Sequence, residues 1–493
     1  MLCRKMDTFL LHTYLEETMP NQTKIMDHSI RDILHMIREK QVSPNELLDE
    51  AYQNIHQVHE QLNAFITIQE KERAVREIQK HEQDHAVFFG LPYSLKDAYC
   101  TKDIRTTSAS AVLQDFTPPY SATVYEKLQH TGAVLVGKNN QDAWGHGGST
   151  ENTDFGPTKN PWNLSCIPGG SSGGSAVAIS TRMVLFSIGE DTGGSIRSPA
   201  SMCNISGLKV TYGRVSRYGT IAYASSLDTV GPMAKSVDDL AFVLKEIAGN
   251  DPHDLTSSPL PVPDYPTLIQ RDVKKMRIGL PKEFFGEGLT DEVRAVVDQA
   301  IKAFERLGVE FVNVSMPYVS LGVSIYYLIA PSETSSNLAR YDGIRYGQDR
   351  SNFTEETIRR ILLGTYALSA GYADELYKKA QKAREILIEE YREALSHCDA
   401  LLAPVTPSKP SRIGELLSDP MRNLLEDLYT VTINLAGVPS LAIPAGFSSD
   451  KLPIGIQLIG KPFDELTLLQ LGNAFQQATN WHTEKPPLLE QHP

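Results

Sequence analysis

The chain has 493 residues, 41% hydrophobic and 22% charged, which is ordinary globular usage and excludes disordered and fibrous classes. Its 47 basic and 60 acidic residues leave a net charge of −13, which argues against nonspecific coating of DNA or RNA. Five widely spaced cysteines with no CxxC exclude a disulfide framework or zinc ribbon, and reduced thiols in a cytosolic compartment are the simpler reading.

The first segment is apolar only at Phe9, Leu10 and Leu11, where His12 interrupts and Asp7, Glu16 and Glu17 add charge. That is a poor signal or transit peptide, and residues 1–26 read as a variable extension or an upstream start. No apolar run reaches the roughly 18 residues of a spanning helix, so no membrane is expected. Residues 28–60 predict two helices, with Ile30, Ile33, Leu34 and Ile37 at helical spacing. Ser43-Pro44-Asn45-Glu46 predicts the second start: a capping serine, a proline in the first turn and an early acid. A strand over 64–68 and a charged helix to about residue 84 follow. Strands are then predicted at 91–95, 133–136, 185–188, 276–280, 311–314, 401–403, 441–443 and 454–458, with helical stretches between many of them. The alternation predicts a layered α/β fold around a largely buried sheet. Residues 251–267, with Pro252, Pro259, Pro261, Pro263 and Pro266, predict a surface segment crossing one large domain of residues 27–485.

Three motifs point elsewhere than function. His81-Glu82-Gln83-Asp84-His85 fits HExxH but lies in a wholly polar stretch, as a solvated helix end does. Gly132 to Lys138 fits GxxxxGK, but Asn139 stands where a Ser or Thr would hold magnesium, and the intervening residues read as a strand. Gly169 to Gly173 fits GxSxG, but a loop rather than a strand precedes it, and His253, His397 and His482 lie in no distinctive motif.

The chemistry lies between residues 169 and 197. Gly169-Gly170-Ser171-Ser172-Gly173-Gly174-Ser175 and Asp191-Thr192-Gly193-Gly194-Ser195-Ile196-Arg197 frame one short helix and one strand. Glycine-rich turns let backbone N–H groups converge on a phosphate or a developing oxyanion. Arg197 could serve a phosphate, whereas Ser195 beside the glycine pair could be a nucleophile. A serine nucleophile needs a base, and neither loop holds a histidine. Lys96, closing the strand that begins at Leu91, could act as a base if buried and uncharged.

The run from Gly169 to Arg197, continuing through Gly207-Leu208-Lys209 and Tyr212-Gly213-Arg214-Val215-Ser216, strongly resembles the amidase signature family. The resemblance spans most of the chain, from Asp27 to residue 480. It implies a layered α/β/α fold with a large central mixed sheet covered by helices. It also implies a triad of Ser195 as nucleophile, Ser171 as a bridging serine after a cis peptide from Gly170, and Lys96 as base. Backbone N–H groups around Thr192, Gly193, Gly194 and Ser195 would hold the oxyanion. No metal or cofactor is implied in this chain.

Two later stretches are narrower in their likeness. Residues 336–347 and 359–372, with Asn434-Leu435-Ala436-Gly437-Val438-Pro439, resemble the A subunits of glutamyl-tRNA(Gln) amidotransferases. That resemblance implies glutamine as substrate, with Arg360 on its carboxylate, Asp427 on its ammonium and Tyr326 nearby. It further implies a tRNA-binding partner that uses ATP and magnesium, a small third subunit, and a cytoplasmic setting. The chain departs from the usual pattern at Ala98-Tyr99, Asp142-Ala143-Trp144-Gly145-His146-Gly147, Ser198, Asn204 and Val210, and is short between Gly347 and Arg360. The Trp144–His146 change, expected near the site's mouth, keeps a second reading open: a stand-alone amidase of small or aryl carboxamides. A catalytically silent scaffold is the third, opposed by the intact Lys96, Ser171 and Ser195.

Overall fold

The structure, a computed structural model, describes residues 24–81, 86–286, 288–344, 347–418 and 425–490. Most of the expected N-terminal extension lies outside these residues, as do Arg345, Tyr346 and the HExxH segment after His81.

The chain enters through helices Ile30–Arg38 and Pro44–Leu62. The second starts as its sequence dictates. Ser43 Oγ accepts from Glu46 N–H, and the Glu46 carboxylate accepts from Ser43 N–H, so two otherwise unpartnered donors are satisfied reciprocally. The charged helix Lys71–His81 follows the strand Phe65–Ile68.

Among the described residues, eleven strands form one mixed sheet: β1 (Phe65–Ile68), β2 (Pro92–Lys96), β3 (Val134–Asn139), β4 (Phe186–Asp191), β5 (Ser206–Lys209), β6 (Thr229–Ala234), β7 (Arg277–Pro281), β8 (Glu310–Val314), β9 (Ala400–Pro404), β10 (Ser440–Phe447) and β11 (Pro453–Gly460). Their order is β1-β3-β2-β4-β6-β5-β10-β11-β9-β7-β8. β2 runs parallel to β3 and β4, and β7 runs parallel to β8 and β9; the other pairs are antiparallel. Successive strand residues face opposite ways. In β3, Val134 and Val136 join one apolar core and Leu135 another; in β10, Ala442 parts likewise from Leu441 and Ile443. The sheet therefore separates two cores, each closed by helices, which is the α/β/α layering.

β5 and β6 go beyond the strands predicted from sequence. Their runs, Ser-Gly-Leu-Lys and Thr-Val-Gly-Pro-Met-Ala, lack the continuous apolar signal, yet both are buried throughout. The strands before and after residues 251–267 meet in this one sheet, where β5 pairs β10. The proline-rich segment is pinned: Tyr265 is buried, and Asp251 accepts from Thr123 and Ser216. Among the described residues no helix is long and apolar enough to cross a membrane.

Candidate active site

β2 and β4 are parallel neighbours, so Lys96 and Asp191 end them at the same edge of the sheet. Such an edge, outside the carboxyl ends of parallel strands, is where open α/β folds place their chemistry. The loop before helix Gly173–Ser180 carries Ser171, and the turn between β4 and helix Arg197–Met202 carries Ser195. Ser172 N–H donates to Ser195 O at 3.1 Å and stitches the two loops together.

Lys96 is fully buried, with Nζ 2.6 Å from Ser171 Oγ. The Gly170–Ser171 peptide is cis. Two further oxygens surround the amine: Glu190 Oε2 at 2.9 Å and Glu190 backbone O at 3.1 Å. Ser195 retains 6% exposure and lines a pocket with Gly193, Gly194, Tyr326, Arg360, Asp427 and Thr430.

Asp191 organises the nucleophile turn. Its carboxylate accepts from Gly194 N–H at 2.8 Å and Ile196 N–H at 3.0 Å, and pairs with Arg197 at 3.0 Å. Burial alone would raise the Asp191 carboxyl; the Arg197 guanidinium overrides it and holds the group well below the usual carboxylate range. This geometry corrects the expectation for Gly194, whose N–H is already committed to Asp191. Among the described residues the N–H groups of Thr192, Gly193 and Ser195 have no such partner. At Gly193 a Cβ would sit 2.7 Å from the Tyr326 hydroxyl, so a larger residue would force that ring or the turn to shift. Arg197 does not face a phosphate. It is buried and spent on Asp191, Thr430 O, Gln457 and Asn434.

The three expected substrate contacts do meet in this pocket, although they come from separate helices. Tyr326 sits in helix Gly322–Asn337, Arg360 in helix Glu355–Ala367, and Asp427 opens the short turn Asp427–Tyr429. Arg360 Nε donates to Glu356 at 2.7 Å and Nη1 to the Tyr223 hydroxyl, leaving Nη2 without a partner among the described residues. Tyr223 and Tyr327 flank its guanidinium, each with ring centroid 5.6 Å away. Asp427 accepts from the Tyr327 hydroxyl at 2.7 Å, and burial pushes its carboxyl up to about 6. Among the residues lining the pocket, Arg360 thus offers a fixed cation and Asp427 a fixed anion.

Trp144 and His146 do not form the mouth. Trp144 is buried against Tyr341 and Phe353, and only Gly145, Gly147 and Gly148 of that stretch line the pocket. The His146 ring lies between Thr357 Oγ1 and Thr334 Oγ1 and packs on Tyr223. Burial, with Arg360 close by, keeps its imidazole well below its usual range and therefore neutral. Lys138, of the phosphate-loop lookalike, is buried in β3 and paired with Asp97 at 3.0 Å.

Sequence reasoning missed Glu190, Tyr223, Asp228 and Tyr327. Glu190 had a signal, an acid directly before the Asp-Thr-Gly-Gly-Ser run. The others are remote in sequence and reach the site only through the pairing of β4 with β6 and the packing of helix Gly322–Asn337.

The Amidase family model matches residues 46–469. Among the relatives of this chain are the A subunits of glutamyl-tRNA(Gln) amidotransferase from Desulfatibacillum aliphaticivorans and Bacillus licheniformis. The first is 49% identical, over 91% of this chain and 96% of that one. The second is 46% identical, over 94% and 100%. The solved structure of the same-named protein from Thermotoga maritima superposes with a TM-score of 0.82 at 36% identity, covering 94% of this chain and 98% of that one. A buried lysine on a cis-linked serine, beside a second serine in a glycine turn, is thus found in a chain that belongs to the amidase signature family, among the A subunits of glutamyl-tRNA(Gln) amidotransferases.

Proposed function

We propose that this chain is the glutaminase subunit of a tRNA-dependent amidotransferase. The observation that carries the reading is the juxtaposition in one pocket of Ser195, beside the Lys96–Ser171 pair, with a free face of Arg360 and the Asp427 carboxylate. A simple amide has no use for that charge pair; a free amino acid needs both charges.

Arg360 Nη2 receives the α-carboxylate of glutamine, Asp427 receives its α-ammonium, and Tyr326 packs between them and the nucleophile turn. Lys96, as the free amine, takes the Ser171 proton while Ser171 takes the Ser195 proton, and Ser195 Oγ bonds to the carboxamide carbon. The N–H groups of Thr192, Gly193 and Ser195 face the developing oxyanion; losing one such donor typically costs about 3 kcal/mol. As the tetrahedral carbon collapses, the C–N bond breaks and the relay returns a proton to the departing nitrogen, which leaves as ammonia. Water then adds to the acyl-enzyme, giving up its proton through the same relay, and glutamate is released.

Ammonia passes to a partner that converts Glu-tRNA(Gln) to Gln-tRNA(Gln). ATP and magnesium act in that partner, which also holds the tRNA, in keeping with the −13 charge of this chain. A small third subunit completes the assembly, in the cytoplasm. Residues 27–485 act as one catalytic domain.

The test is ammonia release from glutamine against a panel of simple amides, for the chain alone and with candidate partner subunits and charged tRNA. Glutamine preference that collapses in Arg360→Ala is expected. Equal turnover of simple amides, indifferent to Arg360, would leave a stand-alone amidase.

A further inference from the structure

The base lysine has a neighbour that the mechanism above leaves unused. Lys96 Nζ has three oxygens around it, and their chemistry is unequal. Glu190 backbone O can only accept, at 3.1 Å. Glu190 Oε2, when ionised, can only accept, at 2.9 Å. Ser171 Oγ, at 2.6 Å, can do either. A neutral amine has two N–H donors and one lone pair. With both donors taken by the two Glu190 oxygens, the lone pair has one direction left, toward the Ser171 hydroxyl.

The other end of Glu190 shows how it is kept in that role. Thr192 Oγ1 contacts Glu190 Oε1 and also Asp228 Oδ1, the latter at 2.7 Å. One hydroxyl has one proton, so it can donate to only one of two carboxylates. The other contact requires a proton on a carboxyl oxygen. The two acids therefore share one proton across Thr192. Burial, and then the charge of Glu190, push the Asp228 carboxyl far above the ordinary carboxylate range. Asp228 is fixed by Tyr223 N–H at 3.0 Å and Ala224 N–H at 2.9 Å, and it reaches Thr192 because β6 pairs Thr229 with Asp191.

We propose that Glu190, Thr192 and Asp228 are positioning residues for catalysis: Glu190 clamps both hydrogens of the free Lys96 amine so that its lone pair faces Ser171, and a proton shared with Asp228 through Thr192 sets the charge on Glu190. When Lys96 takes the Ser171 proton, the shared proton resides on Asp228. Thr192 then donates to Glu190, whose full negative charge faces the new ammonium. When Lys96 gives its proton up, the shared proton can return through Thr192 to Glu190 Oε1. No proton is gained or lost by the Glu190–Thr192–Asp228 set in the cycle. Arg217 and Tyr212 lie close enough to Asp228 to interact with its charge, and two further groups face the set. Asp142 lies close enough to Lys96 to feel its charge, and its carboxylate accepts from Thr150 and Asn152 N–H. Tyr99 faces both acids, but its hydroxyl is donated to Gly189 O at 2.6 Å. Both remain in every variant below.

The inference rests on the reading of Ser195 as nucleophile and Lys96 as base, but its test needs neither glutamine nor a partner. The full chain is treated with a small alkyl fluorophosphonate across neutral to alkaline pH, and the rate of covalent labelling is followed by intact mass. Labelling that persists in Ser195→Ala overturns the nucleophile reading, and this proposal with it. Given labelling that depends on Ser195, Glu190→Gln is expected to slow it and to move the midpoint of its rise with pH lower, because an anion beside the amine has gone. A slower rate with an unmoved midpoint would overturn the proposal, since mere loosening of the fold predicts that outcome. Thr192→Val and Thr192→Ser keep the backbone donor of the oxyanion turn and differ in the bridging hydroxyl. Val is expected to slow labelling by about tenfold or more and Ser to restore it; equal rates for the two would also overturn the proposal, even if Glu190→Gln fails to fold.

Discussion

The two ends of this pocket are built in opposite ways. The base end, with Lys96, Ser171, Glu190 and Asp191, is made from the termini of β2 and β4 and the loops between them, and is almost wholly buried. The substrate end, with Tyr326, Arg360 and Asp427, comes from helices that leave the sheet. The outer face of helix Glu355–Ala367 is open: Leu362 is 63% and Tyr366 51% exposed. At the base end the strand ladder fixes Lys96, and the hydrogen bond from Ser172 N–H to Ser195 O holds the two serine loops together beside it. At the substrate end single side chains aim charges from helices that rest on one another. Bond-making and recognition are thereby separable, and substrate preference can be altered without disturbing the chemistry.

The largest effect should follow from removing the nucleophile. Ser195→Ala is expected to lower amide hydrolysis by about 10^4-fold or more for every substrate, with thermal unfolding little changed; residual turnover of even one amide at the original rate would place its chemistry elsewhere. Arg360→Ala should break only the recognition end. Truncating a buried charged contact costs about 2–5 kcal/mol, so kcat/KM for glutamine should fall by about thirtyfold or more while simple amides change little. Gly193→Ala lies on the seam, where its methyl would meet the Tyr326 hydroxyl at 2.7 Å. It should depress glutamine and simple amides alike, by about tenfold to a hundredfold, measured as kcat, because the turn itself must move. The smallest effect is one of pH. Asp427 must be ionised to hold an ammonium, and its carboxyl stands raised to about 6. Acidification through that value removes the charge, so glutamine KM should rise about tenfold from pH 7 to pH 5 beyond the trend for simple amides, and Asp427→Asn should abolish the difference.

The comparison also explains what the sequence made legible. β2, β3, β4, β9, β10 and β11 announce themselves as apolar runs because both faces of the sheet are covered there. β5 and β6 do not, because helix Arg197–Met202 and its lead-in pack directly onto them. A Cβ at Gly207 would meet Ile196 at 2.8 Å, and one at Gly231 would meet Leu208 O at 2.1 Å. Small residues there erase the hydrophobic pattern that marks a strand. Ser171 and Ser195 stood out because glycine turns crowd around them, and Lys96 because it closes a strand. Arg360 and Asp427 were legible only through resemblance; as isolated charges on helices they look like solvated surface. Tyr223 and Tyr327 had no signal, since an aromatic residue near a helix is ordinary core. The sequence pattern puts Trp144 and His146 at the mouth, but the path of the chain there turns the intervening glycines outward and those side chains in.

The clamp on the nucleophile turn has a consequence for the birth of the protein. Asp191 and Arg197, which hold that turn, are themselves held by Thr430, Asn434 and Gln457, more than two hundred residues further along. A ribosome releases Lys96, Ser171 and Ser195 early, yet these partners emerge near the end of translation. Until they do, a buried arginine and aspartate lack most of their neighbours and the turn lacks its shape. The nascent chain is therefore silent toward amides for most of its synthesis, and a product truncated before residue 430 carries the whole triad with no working enzyme around it.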